Sequence, residues 1–156
     1  MLALVRSRSY NLHDYRWHGV LTSPPPSRRT IRKPTRAFPH LTPTAHPLQS
    51  QAISTPHAIY VSGQLPALPS GEHPTGTITH KTSLCIANLS AILKAAGSDL
   101  SKVVKMTVFL TDMDNFAEMN AEYEKHFGEV RPARSCVAVR ALPKGVLIEM
   151  ECVALP

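Results

Sequence analysis

Three side chains near the C-terminus are costly to bury unless something meets them: Arg134, Glu149 and Glu151. Arg134 stands in Pro132-Ala133-Arg134-Ser135-Cys136-Val137, and the two glutamates interrupt the otherwise apolar run from Val146 to Leu155. Charges inside strands of this composition sit where they are paired or where they meet a ligand. An arginine presents a planar fork of donors that fits a carboxylate bidentately, whereas a lysine is a point charge. The chemistry this points to is recognition of a small organic anion. Period two puts Arg134, Cys136, Ala138 and Arg140 on one strand face, and Glu149 and Glu151 on a face with Leu147 and Val153. A cross-strand Arg–Glu pair that only stabilises the sheet fits the same pattern.

The elements that must carry these residues follow from periodicity. Ala58 to Ser62 is a short β-rich run closed by Gly63 and Pro66. A helix begins near Ile78, with Cys85, Leu89, Ile92, Leu93 and Ala96 in one apolar stripe, and Gly97 ends it. Val103 to Leu110 is a strand, with Val104, Met106, Val108 and Leu110 on one face and Val103, Lys105, Thr107 and Phe109 on the other. Asp112, Asp114 or Asn115 caps a second helix, and Glu118 is placed to close a capping box with Asn115.

That helix runs to about Phe127 and lines up Phe116, Met119, Asn120, Tyr123 and Phe127. Asn120 is an amide inside an apolar stripe. It is either satisfied by nearby backbone or it orders the chain beneath the arginine strand. Strands from Ser135 to Arg140 and Val146 to Leu155, with a turn at Pro143-Lys144-Gly145, close the domain. The order strand, helix, strand, helix, strand, strand predicts an α+β fold, a sheet with two helices on one face.

The 156 residues suit one compact domain plus an extension. Charge is unevenly placed: residues 1–40 hold eight basic side chains against Asp14 alone, and the rest holds nine basic against ten acidic. The formal net charge of +6 therefore belongs to the N-terminal stretch. That stretch, rich in arginine and poor in acids, reads as a mitochondrial transit peptide, with a basic nucleic-acid-binding tail or a misplaced gene start as the other options. Prolines 24, 25, 26, 34, 39, 43 and 47 make residues 22–47 a linker. Cys85, Cys136 and Cys152 show no metal-ligand spacing and fit reduced thiols. No apolar stretch approaches the ~20 residues needed to cross a bilayer.

Three linked pieces, Pro132-Ala133-Arg134-Ser135, Leu142-Pro143-Lys144 and Ile148-Glu149, resemble the signature of the RidA (YjgF) family of imine deaminases. Tyr60-Val61-Ser62-Gly63-Gln64 and Asn120-Ala121-Glu122-Tyr123-Glu124 extend the resemblance over about residues 47–155. It implies a chorismate-mutase-like mixed sheet in a homotrimer with a central barrel and a cleft at each subunit interface. The domain boundary then falls at 47–156, with residues 1–46 as transit peptide and linker. The implied reaction is hydrolysis of 2-aminoacrylate, 2-iminopropanoate or 2-iminobutanoate to a 2-keto acid and ammonia, protecting pyridoxal-phosphate enzymes. It needs no cofactor and no metal.

In that frame Arg134 binds the substrate carboxylate and Glu149 holds or activates water near the imine carbon. Cys136 and Asn120 complete the substrate-binding set. In His46-Pro47-Leu48-Gln49-Ser50-Gln51-Ala52 a leucine or glutamine stands where many members carry a tyrosine, a departure that bears on rate and substrate range, and Gln49 joins the substrate-binding set as a hydrogen-bond donor. Two other classes remain: a non-catalytic trimeric ligand-binding or protein-stabilising partner, and an RNA-acting ribonuclease or translation inhibitor. The near-neutral charge beyond residue 40 argues against nucleic acid. Location in the mitochondrial matrix is expected, with the cytoplasm as the alternative.

Overall fold

The structure, a computed structural model, describes residues 50–156. Gln49 and the expected transit segment and linker lie outside the described residues. Seven main elements follow in chain order: β1 (Ala52–Ser54), β2 (Ile59–Gln64), α1 (Ile78–Ala95), β3 (Val103–Leu110), α2 (Phe116–Phe127), β4 (Ala133–Ala138) and β5 (Ile148–Ala154). They form one five-stranded sheet in the order β1-β2-β5-β3-β4. The predicted α+β class is therefore found, with β1 added: its three residues are too few to show an alternation.

The sheet is mixed because α2 separates β3 from β4. A helical crossover returns the chain to the same end, so β4 runs parallel to β3 along the sheet edge. β5 then fits between β2 and β3, antiparallel to both. β4 and β5 follow each other in sequence but never touch, since β3 lies between them. The cross-strand Arg–Glu pair is thereby excluded within one chain. The arginine strand begins at Ala133 and ends at Ala138, two residues earlier than the predicted Ser135–Arg140.

β5 alternates strictly, with Ile148, Met150, Cys152 and Ala154 buried between Glu149, Glu151 and Val153. Met106, Val108 and Leu110 of β3 are also completely buried. These join Cys85, Leu89, Ile92 and Leu93 of α1, and Met119, Tyr123 and Phe127 of α2, in one core on the helix side of the sheet. The expected face of β3 needs one correction. A bulge between Val103 and Lys105 puts Val103 in the core and leaves Val104 exposed, because an inserted residue inverts the alternation on its own side.

Thr77 caps α1 through a hydrogen bond from the His80 amide, and the chain leaves the helix through Gly97 at a φ of +82°. Asp112 caps the short turn before α2. The expected capping box is not formed, since Asn115 makes no side-chain cap. Glu118 reaches across to α1 instead, accepting from the Thr79 amide at 3.1 Å and its hydroxyl at 2.6 Å. Those bonds hold its carboxyl below the usual range. They tie the start of one helix to the first turn of the other, at orphan amides a helix cannot satisfy itself.

Candidate functional site: an arginine cradle and a carboxylate across the sheet

Arg134 pairs with Met106 in the parallel ladder and so projects on the helix side. There it meets α2. Phe116, Asn120 and Tyr123 recur at helical spacing, which stacks them on one face. Arg134 Nη1 donates to Asn120 Oδ1 at 2.7 Å. Its Cζ lies 4.6 Å from the Tyr123 ring centroid and 5.9 Å from that of Phe116. Tyr123 in turn stacks on Phe127, centroid to centroid 4.5 Å. The guanidinium is thus cradled by one acceptor and two aromatic faces. Asn120 meets the arginine side chain itself, a contact that neither of its two predicted options, nearby backbone or the chain beneath the arginine strand, had named.

Among the described residues that is the one hydrogen bond Arg134 donates. A guanidinium carries five N–H donors, so the fork retains donors for an anion. Cys136 follows two residues along on the same face, paired with Val108 and half-buried against the core. Burial pushes its thiol up, against the nearby Arg134 charge that pulls it down. Cys152 is pushed up to about 12 by burial, with Glu151 adding to it, and buried Cys85 also rises. None of the three is poised as a thiolate nucleophile.

Glu149 occupies the other face. It pairs with Phe109, three positions from Met106, and the odd separation reverses its direction. Its carboxylate runs along β2 beside Gly63: a Cβ at that glycine would fall 1.8 Å from Glu149 Oε1. Gly63 lies in the irregular stretch between Val61 and Gln64, whose side-chain amide donates to the carbonyls of Ser62 and Gly63 at 3.0 and 3.2 Å. Burial raises the Glu149 pKa, and Glu151 on the same strand face raises it further. A carboxyl so shifted keeps its proton to higher pH than an ordinary carboxyl does, and so can both take and return one.

One chain therefore brings Arg134, Asn120 and Cys136 together and keeps Glu149 from them. The other sequence-predicted residue, Gln49, lies outside the described residues. Phe116, Tyr123 and Gly63 were not among the predicted site residues. An amide set among aromatic residues at helical spacing was the available signal for the first two. Nothing local marks Gly63 beyond its place in a recurrent phrase. Among the described residues no three His, Cys, Asp or Glu side chains converge as a metal site would require.

Residues 41–155 match the family described as Endoribonuclease L-PSP. The chain belongs to this family, the RidA (YjgF) family. This RidA-family chain is 42% identical over 138 residues to Protein MMF1, mitochondrial, of Saccharomyces cerevisiae, covering 88% of this chain and 95% of that one. It is 41% identical over 107 residues to the 2-iminobutanoate/2-iminopropanoate deaminase of Capra hircus, covering 68% and 78%. In three dimensions it resembles E. coli TdcF with bound serine, with a TM-score of 0.73 and 34% identity over 80% of this chain and 99% of that one. The five-stranded sheet and two helices are those of the family's solved structures.

Proposed function

We propose that the protein hydrolyses imines and enamines of small 2-amino acids, 2-iminopropanoate (from 2-aminoacrylate) and 2-iminobutanoate, to the 2-keto acid and ammonia. The observation that carries this is the Arg134 cradle: a guanidinium held by Asn120 and two rings, with donors left over for a carboxylate. The likeness to a goat protein named for this reaction, and to one solved with bound serine, supports the same substrate size.

Arg134 anchors the carboxylate and fixes the C=N carbon. Water adds to that carbon of the protonated imine while Glu149 takes a proton from the water, which gives a carbinolamine. Glu149 returns that proton to nitrogen and takes the hydroxyl proton as the C–N bond breaks, so ammonia leaves and the carbonyl forms. Orientation of an already electrophilic imine supplies much of the acceleration. Glu149, with its raised pKa, relays the proton.

Because Arg134 and Glu149 face opposite ways in one chain, the working site is assembled from two copies, as in a ring-closed homotrimer. The sheet face away from the helices presents Tyr60, Val137, Phe109 and Val153 among Lys105, Thr107 and Glu151, an apolar centre that a neighbouring copy covers. The basic N-terminus and the relatives named as mitochondrial support action in the mitochondrial matrix. No helix among the described residues is long and apolar enough to cross a membrane.

The test is ammonia release from freshly generated 2-iminopropanoate by wild type and Arg134→Ala. Acceleration by wild type that falls at least about 100-fold in the variant supports the proposal. A folded wild type without acceleration rejects it and favours a ligand-binding partner. RNA cleavage that survives Arg134→Ala would favour the ribonuclease reading.

A further inference from the structure

We propose that Tyr123 is a positioning residue whose ring face fixes the plane of the Arg134 guanidinium, so that its remaining donors point at the ligand carboxylate. This rests on the anchor role proposed above for Arg134. A single hydrogen bond leaves a guanidinium free to pivot about that contact. Asn120 supplies one such bond, at 2.7 Å. A second constraint is needed to fix the plane, and the Tyr123 ring lies 4.6 Å beneath Cζ.

That ring is itself immobilised. It stacks on buried Phe127, and only 7% of Tyr123 is exposed. Phe116 lies farther away at 5.9 Å, half-buried, and bounds the guanidinium less closely. Attraction between a cation and an aromatic face strengthens as the pair loses water, and Tyr123 is the more buried ring.

The contact that Tyr123 makes with Arg134 is through its ring face, and no hydrogen bond joins its hydroxyl to the guanidinium. The proposal therefore separates two substitutions of similar size: Tyr123→Phe keeps the face, and Tyr123→Leu removes it.

The experiment measures the dissociation constant of 2-oxobutanoate, a small 2-keto carboxylate, for wild type, Tyr123→Phe, Tyr123→Leu, Arg134→Ala and the Tyr123→Leu/Arg134→Ala pair, alongside imine hydrolysis. Tyr123→Phe should bind within about twofold of wild type, and Tyr123→Leu about tenfold more weakly. Adding Tyr123→Leu to Arg134→Ala should cost nothing further, because the ring acts through the arginine. In turnover, Tyr123→Leu should raise KM more than it lowers kcat.

Equal weakening by Phe and Leu, or additive losses in the pair, overturns the proposal. Should Tyr123→Leu fail to fold, Phe116→Leu tests the same cradle, with an expected loss of about threefold; unchanged binding there, with Tyr123→Phe weakened, also overturns it. A wild type that binds 2-oxobutanoate without hydrolysing imines sinks the deaminase reading and leaves this one standing. A wild type that binds none overturns both.

Discussion

Arg134 and Glu149 stand on opposite faces of the same sheet, separated by β3: one pairs with Met106 and the other with Phe109. A catalytic unit that uses both must draw them from different copies. This makes a complementation experiment decisive. Arg134→Ala and Glu149→Gln should each fall about 100-fold or more as homo-oligomers. Mixed at equal amounts, unfolded and refolded together, they should recover up to about a quarter of wild-type activity, since each shared site then has that chance of receiving both native residues. Recovery near zero in properly assembled mixtures would mean that each site is built within one chain.

Much of this arrangement was legible in the sequence. The stripe from Phe116 to Phe127 and the start of α1 at Ile78 follow from helical period, because a helix must bury one face. The alternation through Glu149 and Glu151 likewise placed both on one face of β5 with Val153. What the sequence hid is pairing order. Nothing in β4 or β5 says that β3 lies between them, since strand neighbours are set by the crossover helix and not by adjacency in the chain. The bulge at Val104 was equally hidden, because a run of Val-Val offers two equivalent registers. Gly63 was visible only as a glycine. Its closeness to Glu149 depends on an irregularity in β2 that local composition does not encode.

Glu149 should give the protein a pH dependence of known sign. A carboxyl whose pKa is raised by folding holds its proton more tightly in the folded chain. The stability it contributes is present below the ordinary carboxylate value and is lost as pH rises through the raised one. Glu149→Gln has no such loss. Urea unfolding at pH 4 and pH 7 should therefore show the variant gaining on wild type as pH increases. Its activity should be about 100-fold lower, and the acid limb of the wild-type kcat/KM profile should disappear. A variant that loses stability relative to wild type at neutral pH would contradict the assigned burial.

Asn88 is a structural counterpart, buried on α1 and remote in role from the chemistry. Its Nδ2 donates to the carbonyls of Leu65 and Ala67 at 3.1 and 3.0 Å, which pins the loop between β2 and α1. Asn88→Ala leaves two carbonyls without that donor and should destabilise by about 2 kcal/mol. The urea midpoint should fall with the slope unchanged, because the same surface is exposed on unfolding. Activity measured well below the melting temperature should stay within about threefold of wild type. A collapse of activity in a folded variant would show that this loop positions the site.

Gly63→Ala tests how tightly the Glu149 carboxylate is placed. The new methyl would sit 1.8 Å from Oε1, which no packing tolerates, so something must move. The obstructing atoms are the far end of a flexible side chain, so the cheapest response is rotation of Glu149 and not distortion of β2. Stability should change by less than about 1 kcal/mol, while kcat/KM falls about 100-fold as the proton relay leaves its place. The pair Gly63→Ala/Glu149→Gln should be no worse than Glu149→Gln alone, since a displaced carboxylate and a missing one amount to the same loss. Losses that add in the double variant would show that Gly63 acts through its own backbone, against the ligand, and not through Glu149.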